Sequence, residues 1–200
     1  MGEYSPYYQT GIKASYAFDP HWSAQLHILN DWQLISDDNR TKAVGTQLQW
    51  TNDRSTIAFN TFAGPELPGD DSHWRLFGDI TAQFKVTAAH TAGATMDLGW
   101  QDRTRGAALW HGAGVYWRTA FTEQVALALR AEYYKDRDGF MSGTQQLLLD
   151  GTVTLEVRPA DHLILKLEGR YDTSDASVFT ASNGTSKAQG LVLASAVASF

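Results

Sequence analysis

Hydrophobic and polar residues alternate with a period of two along most of the chain, most clearly in residues 147–171. Apolar residues alternate there with Asp, Thr, Glu and Arg as far as Arg158, residues 159–162 interrupt the pattern, and it resumes at Leu163. Successive side chains of a β-strand point to opposite faces. The segment therefore predicts a hairpin with one apolar face and one heavily charged face.

The same alternation recurs along the rest of the chain. It predicts further strands at residues 12–18, 22–28, 74–86, 92–101 and 125–136. A soluble β-sandwich also alternates, because its apolar faces share a core while its polar faces meet water. The pattern therefore predicts an all-β fold and leaves open whether it is a sandwich or a barrel.

Hydropathy favours a membrane barrel. The chain has 200 residues, 43% of them hydrophobic, and its mean hydropathy is -0.31. No apolar run approaches the roughly 18 residues that a transmembrane helix needs, which excludes a helical membrane protein. Segments of about ten residues with weak net hydrophobicity are typical of transmembrane β-strands.

The connections between the predicted strands alternate in length. Tight connections are predicted at residues 19–21, 52–55, 87–90, 122–124 and 159–162. Longer polar stretches lie between them, at residues 33–41, 65–73, 102–106, 136–144 and 173–189. Short turns at one rim and long loops at the other are typical of an antiparallel up-and-down transmembrane β-barrel.

Aromatic residues are placed near both ends of the predicted strands. Beside the short turns stand Phe18, Trp22, Trp50, Phe84 and Phe121. Toward the long loops stand Trp32, Trp74, Trp100, Trp110, Tyr133 and Tyr171. Aromatic rings favour the headgroup level of a bilayer, although they are also common in strands generally. We interpret the two sets as the aromatic girdles of a barrel.

The chain ends on a strand whose last residue is aromatic. Val192, Ala194, Ala196, Ala198 and Phe200 share one parity. This ending resembles that of bacterial outer-membrane β-barrels, in which a C-terminal Phe is the signal read by the barrel assembly machinery. The resemblance implies the same role for Phe200.

Three segments resemble the strands of one family of such barrels. Residues 11–16, 42–48 and 165–171 are similar to strands of the "putative beta-barrel porin" (OmpL-like) family. The resemblance extends over nearly the whole chain. It implies a channel-like protein of the bacterial outer membrane, and it implies no catalytic residues.

The predicted strand number is odd. Bacterial single-chain barrels have even numbers, whereas about eleven strands are predicted, so the first and last would run in the same direction. Residues 1–6 also lack the charged and apolar regions of a signal peptide. We therefore expect residues 1–200 to form a single barrel domain that is the C-terminal part of a longer barrel. An odd barrel closed by parallel pairing is the alternative.

The side chains on the charged face of the predicted strands are expected to line the lumen of the barrel. The charged members of this face are Lys13, Arg75, Asp79, Lys85, Asp97, Arg118, Arg130, Glu132, Glu156, Arg158, Lys166, Glu168 and Arg170. Such side chains steer and select solutes in channels, but cross-strand Arg–Glu pairs that hold a narrow lumen together fit the pattern equally. Because acidic and basic members nearly balance, we predict no strong preference for cations or anions.

Net charge and cysteine content limit the kinds of partner and the compartment expected for this chain. The net charge of -6 argues against nucleic acid, since no basic stripe is available to neutralise phosphates. The absence of cysteine suits an oxidising compartment. The expected partners are outer-membrane lipid and lipopolysaccharide, the barrel assembly machinery through the C-terminal strand, and small hydrophilic solutes. A homo-oligomer is compatible with the pattern.

The predicted function is a porin-like channel for the passive diffusion of small hydrophilic solutes, without a cofactor or a metal. An outer-membrane hydrolase, of the phospholipase or protease type, is one alternative. It needs a nucleophile, a base and an orienting group within reach, and no spacing connects the candidates His27, Asp31, His111 and Ser142. A structural or surface-binding barrel that does not conduct is the other alternative.

Overall fold

The protein is an all-β structure. The computed structural model describes residues 5–36 and 39–199. Its strands are β1 Gly11–Ala17, β2 Trp22–Leu29, β3 Ala43–Thr51, β4 Ser55–Leu67, β5 Asp70–Lys85, β6 His90–Asp102, β7 Ala107–Ala120, β8 Val125–Asp136, β9 Gln146–Ala160, β10 Leu163–Ser174, β11 Phe179–Ala181, β12 Gly184–Ser186 and β13 Ala188–Ala198. Across these described ranges, no helix is long and apolar enough to cross a membrane.

A single antiparallel meander contains nearly all of these strands. The 11-stranded sheet has the order β1 to β10 and then β13, so each strand pairs with its neighbour in sequence. Strands β11 and β12 form a separate 2-stranded hairpin in the connection between β10 and β13. The prediction of about eleven strands in an up-and-down arrangement is confirmed. The small hairpin was not predicted, because strands of 3 residues are too short to show an alternation.

One predicted long loop is mostly strand. The prediction of a long polar loop at residues 65–73 is wrong, since Leu67 pairs with Asp70 and only Pro68 and Gly69 connect β4 to β5. Gly69 has a φ of 69°, a left-handed conformation that a residue without a Cβ adopts easily. The Pro–Gly sequence therefore forms a turn here.

The short turns are closed by a recurrent side-chain cap. Asp19, Asn52, Thr87 and Thr122 each accept hydrogen bonds from the backbone N–H groups two and three residues further on. These side-chain oxygens replace backbone acceptors in tight turns. At Asp19 the bonds from the N–H groups of His21 and Trp22 lower the pKa of the carboxyl. This rim of the sheet is thus defined locally, turn by turn.

The apolar face of the sheet is the exposed one. Met96 is 53% exposed and its neighbour Asp97 8%, and Tyr171 is 59% exposed while Asp172 is 4% exposed. A soluble sheet shows the reverse, because its apolar side chains pack in a core. An apolar exterior around a polar interior is the arrangement of a barrel that faces lipid.

The two ends of the meander are open edges. Within the described ranges no pairing joins β1 to β13, and every residue of β1 is exposed. Since neighbouring strands are antiparallel and the sheet has 11 of them, β1 and β13 run in the same direction. Each edge therefore presents backbone N–H and C=O groups that lack a strand partner in this sheet.

Candidate functional site: the polar face of the sheet

Strand register places the predicted lumen residues on one face, which we call the polar face. Directly paired residues share a face, and the register pairs Lys13 with His27, Asp79 with Asp97, and Arg130 with Thr152. By register or by alternation along the strand, this face carries Lys13, Arg75, Asp79, Lys85, Asp97, Arg118, Arg130, Glu132, Glu156, Arg158, Lys166, Glu168 and Arg170.

The densest charge network lies on β8, β9 and β10. Asp150 is contacted by Arg130 Nε at 3.3 Å and by Arg170 Nε at 2.7 Å. Arg170 Nε also lies 2.7 Å from Asp172 Oδ1, and Gln189 Nε2 donates to Asp172 Oδ2 at 2.7 Å. Two guanidinium groups therefore hold two carboxylates on adjacent strands.

Nearer the short turns the charges pair in the same manner. Arg118 lies 2.8 Å from Glu156, and Lys166 Nζ lies 3.6 Å from the other oxygen of that carboxylate. Farther from the short turns, the hydroxyl of Tyr116 on β7 donates to Glu132 Oε1 at 2.7 Å. Because the Arg118 and Lys166 side chains are 44% and 38% exposed, each pair contributes only about 0–1 kcal/mol to folding.

Two large cavities open along this charged wall. One, of 920 Å³, is lined by Arg130, Glu132, Asp150, Arg170 and Asp172 among others. A second, of 640 Å³, is lined by residues of β5 to β10 that include Arg118, Arg130 and Lys166. Since a water molecule occupies about 30 Å³ in the liquid, both cavities have room for a hydrated small solute.

Toward the long loops the polar face is covered by an aromatic cluster, formed by Trp32, Phe62, Phe77, Trp110 and Phe140. Trp32 packs edge-on against Phe62 and Phe77, with ring centroids 5.1 and 4.9 Å apart. Trp110 stacks on Phe140 at 6.1 Å. Trp32 and Phe140 come from the connections after β2 and β8. The loops therefore fold inward and fill this part of the polar face.

Arg75 is buried within the aromatic cluster. Its guanidinium carbon lies 5.0 Å from the Trp32 ring, 5.8 Å from Trp110 and 5.6 Å from Phe140, and its Nε donates to Gln101 Oε1 at 2.9 Å. The residue is 7% exposed. Arg75 is on the predicted face, but a guanidinium enclosed by three rings fixes the cluster through cation–π contacts rather than meeting solutes.

Burial removes two residues from the predicted girdles. Trp32 and Trp110 are 5% and 1% exposed and pack on the polar face, so neither faces lipid. Exposed on the apolar side or at the strand ends are Phe18, Trp22, Trp74, Phe84 and Tyr171, while Trp50, Trp100 and Tyr133 are partly exposed. Their contact with lipid headgroups stays a prediction. Phe200, the predicted assembly signal, lies outside the described residues.

Sequence reasoning missed the aromatic cluster. Its signal was present, since Phe77 stands in the polar parity of β5, between Arg75 and Asp79. Another signal is Gly99, which pairs with Trp110 and lies under its indole, so that a Cβ at this position would overlap the ring. A large aromatic residue and a glycine on the polar face of adjacent strands indicate that aromatic side chains fill part of the interior.

The candidates for hydrolytic chemistry are not brought together. His27 is on the polar face and contacts Gln25, whereas His111 is on the apolar face and contacts Tyr133. Ser142 donates to Asp136 at 2.9 Å, and within the described ranges no hydrogen bond connects it to a histidine ring. The arrangement therefore lacks the nucleophile and base pair that acyl transfer needs.

Comparison with solved structures places the fold among porins. The chain superimposes on the NanC porin with a TM-score of 0.56 at 12% identity, covering 96% of this chain and 93% of that one. It superimposes on an anion-selective porin from Comamonas acidovorans with a TM-score of 0.67 at 6% identity, covering 91% of this chain and 53% of that one. It superimposes on a loop deletion mutant of OmpT, an outer membrane protein of Vibrio cholerae, with a TM-score of 0.62 at 11% identity, covering 92% of this chain and 61% of that one. The chain thus spans little more than half the length of the last two.

Sequence comparison identifies the family. A search of curated proteins gives no match. The profile of the family described as "Putative beta-barrel porin-2, OmpL-like" matches residues 1–200, the whole of the chain. The chain, whose sheet exposes apolar side chains on one face and carries polar ones on the other, therefore belongs to this OmpL-like family of outer-membrane β-barrel porins.

Proposed function

We propose that the protein is a non-enzymatic channel through which small hydrophilic solutes diffuse passively across the outer membrane. The observation that carries this proposal is the reversed polarity of the sheet. Its apolar residues are exposed, and its charged residues border cavities of 920 and 640 Å³ on the other face. A polar, water-filled interior inside a lipid-facing wall is the property that lets solutes pass.

The residues that line the pathway are those of the polar face outside the aromatic cluster. Lys13, Lys85, Arg118 and Arg158 are exposed there, so their charges are available to ions in the lumen. The ion pair at Glu156 is open to solvent on its cationic side, since the Arg118 side chain is 44% exposed, which supports a wetted wall there. The Asp150 side chain is only 8% exposed and is enclosed by its two arginine partners. Both of the roles considered for this wall, solute contact and cross-strand pairing, fit these distances.

Closure of the barrel belongs to the same proposal. The edges at β1 and β13 are unpaired in the described residues and run in the same direction. We propose that further strands complete the sheet in the assembled protein and that residues 1–200 form a single domain of it. Unpaired backbone groups in hydrocarbon cost several kcal/mol each, which favours such completion.

Single-channel recording tests the proposed function. The protein, purified from outer membranes, is added to a planar lipid bilayer in KCl, and discrete current steps are expected. Proteoliposomes that contain it should swell in small uncharged sugars, because those solutes enter without energy input. Membranes that stay silent, with liposomes that do not swell, would refute the channel and favour the structural barrel. Ester or peptide hydrolysis lost on Ser142→Ala would favour the hydrolase.

A further inference from the structure

The charges of the polar face are sorted along the pore axis. The short turns all lie at one rim of the barrel, so the number of residues between a side chain and its short turn gives its level along the pore axis. The strand ends at the short-turn rim are Ala17, Trp22, Thr51, Ser55, Lys85, His90, Ala120, Val125, Ala160, Leu163 and Ala198.

Positive side chains gather near that rim. Lys85 is itself a strand end, and Arg130, the most distant of the group, is five residues from Val125. We call the group the basic belt, and it consists of Lys13, Lys85, Arg118, Arg130, Arg158 and Lys166. At the same level the polar face carries the acidic residues Glu156 and Glu168. The basic belt therefore has an excess of positive charge.

Negative side chains gather farther from the short turns. Asp79 is six residues from Lys85, and Asp150 is ten residues from Ala160. We call this group the acidic belt, and it consists of Asp79, Asp97, Glu132, Asp150 and Asp172. The cations at this level of the polar face are Arg170 and Arg75, and Arg75 is enclosed by the aromatic cluster. The acidic belt therefore has an excess of negative charge.

The cavities reflect the same division. A cavity of 380 Å³ is lined by Asp79, Asp97 and Glu132, and no Lys or Arg of the described residues lines it. The cavity of 640 Å³ is lined by Arg118, Arg130 and Lys166 together with Glu156 and Glu168, and by no member of the acidic belt. The cavity of 920 Å³ lies where the belts meet, because Arg130 lines it with members of the acidic belt. The wall of the 380 Å³ cavity is thus negative, and the wall of the 640 Å³ cavity carries one more positive than negative side chain.

The centres of the two belts are far enough apart to act separately, although Arg130 at the boundary contacts Asp150 and Glu132 of the acidic belt, at 3.3 and 3.7 Å. The centres differ by about five residues, or about 16 Å of strand, which is about 12 Å along the axis of a barrel whose strands tilt by about 40°. The Debye length at physiological ionic strength is about 8 Å, so each belt dominates the potential at its own level. Cations are enriched in the half of the lumen toward the long loops, and anions in the half toward the short turns.

We propose that this axial charge step makes the channel conduct unequally in the two directions. The inference rests on the proposed channel function. A positive potential on the long-loop side drives cations in through the acidic belt and anions in through the basic belt, so both accumulate at the junction and conductance is high. The opposite potential draws both away from the junction, and conductance falls.

Current–voltage curves of the purified protein in planar bilayers test the proposal. In 0.1 M KCl the currents at equal and opposite voltages are expected to differ about twofold or more, and in 1 M KCl the ratio should approach one because the Debye length shrinks to about 3 Å. The orientation of the channel in the bilayer is found with Asn183→Cys, which places the one cysteine of the chain in a long loop. A bulky thiol reagent then changes the current only when it is added to the compartment that the long loops face. Current should be larger when that compartment is positive.

Neutral substitutions identify the source of the asymmetry. Lys85→Gln with Arg158→Gln removes two charges of the basic belt whose side chains are exposed and form no ion pair within the described ranges. The double variant should bring the current ratio toward one. Asp97→Asn, in the acidic belt, should do the same. Lys187→Gln, an equal change of charge on an exposed loop residue, should leave the ratio unchanged.

Each outcome decides between the alternatives. Channels with linear curves in 0.1 M KCl, or a larger current when the long-loop side is negative, would overturn the charge step while leaving the channel intact. An unchanged ratio in both belt variants, or an equal fall in Lys187→Gln, would overturn its origin in the belts. Absence of any conductance would overturn the proposed function, and this inference with it.

Discussion

Individual glycines determine whether the polar face accepts its large rings. Gly99 lies directly under Trp110, and a Cβ there would overlap the indole. Gly151 has open space around it, with no heavy atom within 4 Å of an added Cβ. Glycine weakens a strand through its backbone freedom. At Gly99 the loss is compensated by the close packing of Trp110, which is 1% exposed.

A substitution at Gly99 should therefore be costly. We expect Gly99→Val to lower the free energy of unfolding by about 1–3 kcal/mol, because the side chain overpacks the aromatic cluster. Urea unfolding in detergent, followed by tryptophan fluorescence, measures the change. Gly151→Val is the matched control and should be neutral, since the added side chain meets no neighbour. Equal destabilisation by both substitutions would show that the effect at Gly99 does not come from its contact with Trp110.

At the scale of the strand, adjacent residues face different solvents. Met96 on β6 is 53% exposed on the apolar face, and Thr95 lies on the polar face between Thr81 and Gly114. Both positions are near the middle of the strand, so a bilayer would surround one and the lumen the other. Alternation along β6 separates lipid from water one residue at a time.

An arginine should hinder membrane insertion at one of these two positions and not at the other. Met96→Arg should hinder membrane insertion, because an arginine near the bilayer midplane of a barrel costs about 2–4 kcal/mol. Thr95→Arg should insert normally, since its side chain reaches the acidic belt. Heat-modifiable migration on gels measures the inserted fraction. Equal defects in both variants would contradict the assignment of the apolar face to lipid.

The loops close part of the interior by placing the aromatic cluster over it. Trp32→Ala should raise the single-channel conductance, because removing the ring that contacts Phe62, Phe77 and Arg75 opens space at the long-loop end. Trp22→Ala, on the exposed apolar face, should leave conductance unchanged. A conductance that is the same in both variants would show that the aromatic cluster lies outside the conducting path.

At the scale of the whole molecule, the open edges dominate the behaviour of the sheet. β1 is exposed throughout, and its neighbour across the opening, β13, runs in the same direction. Direct antiparallel closure between them is therefore impossible. A row of unsatisfied N–H and C=O groups in hydrocarbon costs several kcal/mol per group.

Residues 1–200 refolded alone should therefore associate. We expect dimers or larger assemblies joined edge to edge in detergent, whereas the protein isolated from outer membranes should run as one uniform species. Light scattering coupled to size-exclusion chromatography measures both masses. Uniform, conducting monomers of residues 1–200 would contradict the prediction and would mean that β1 and β13 close the barrel irregularly.

Much of the fold was predictable because its signals are local. Alternation assigns Leu167 and Lys166 to opposite faces, and short turns such as the one at Asn52 are formed by residues close in sequence. The predicted loop at residues 65–73 was wrong because polar residues extend β4 and β5 beyond the apolar pattern, so composition did not reveal the pairing of Leu67 with Asp70.

The sequence by itself determined the strand order, the two faces and the family, since a period of two and short turns require only neighbouring residues. Tertiary structure decided the burial of Trp32 and Arg75, because those contacts join residues far apart in the chain. The levels of the basic and acidic belts follow from the number of residues between each charge and its short turn, so they could be counted along the sequence. Only tertiary structure decided which of those charges are paired, because Arg130 and Arg170 both reach Asp150 from neighbouring strands.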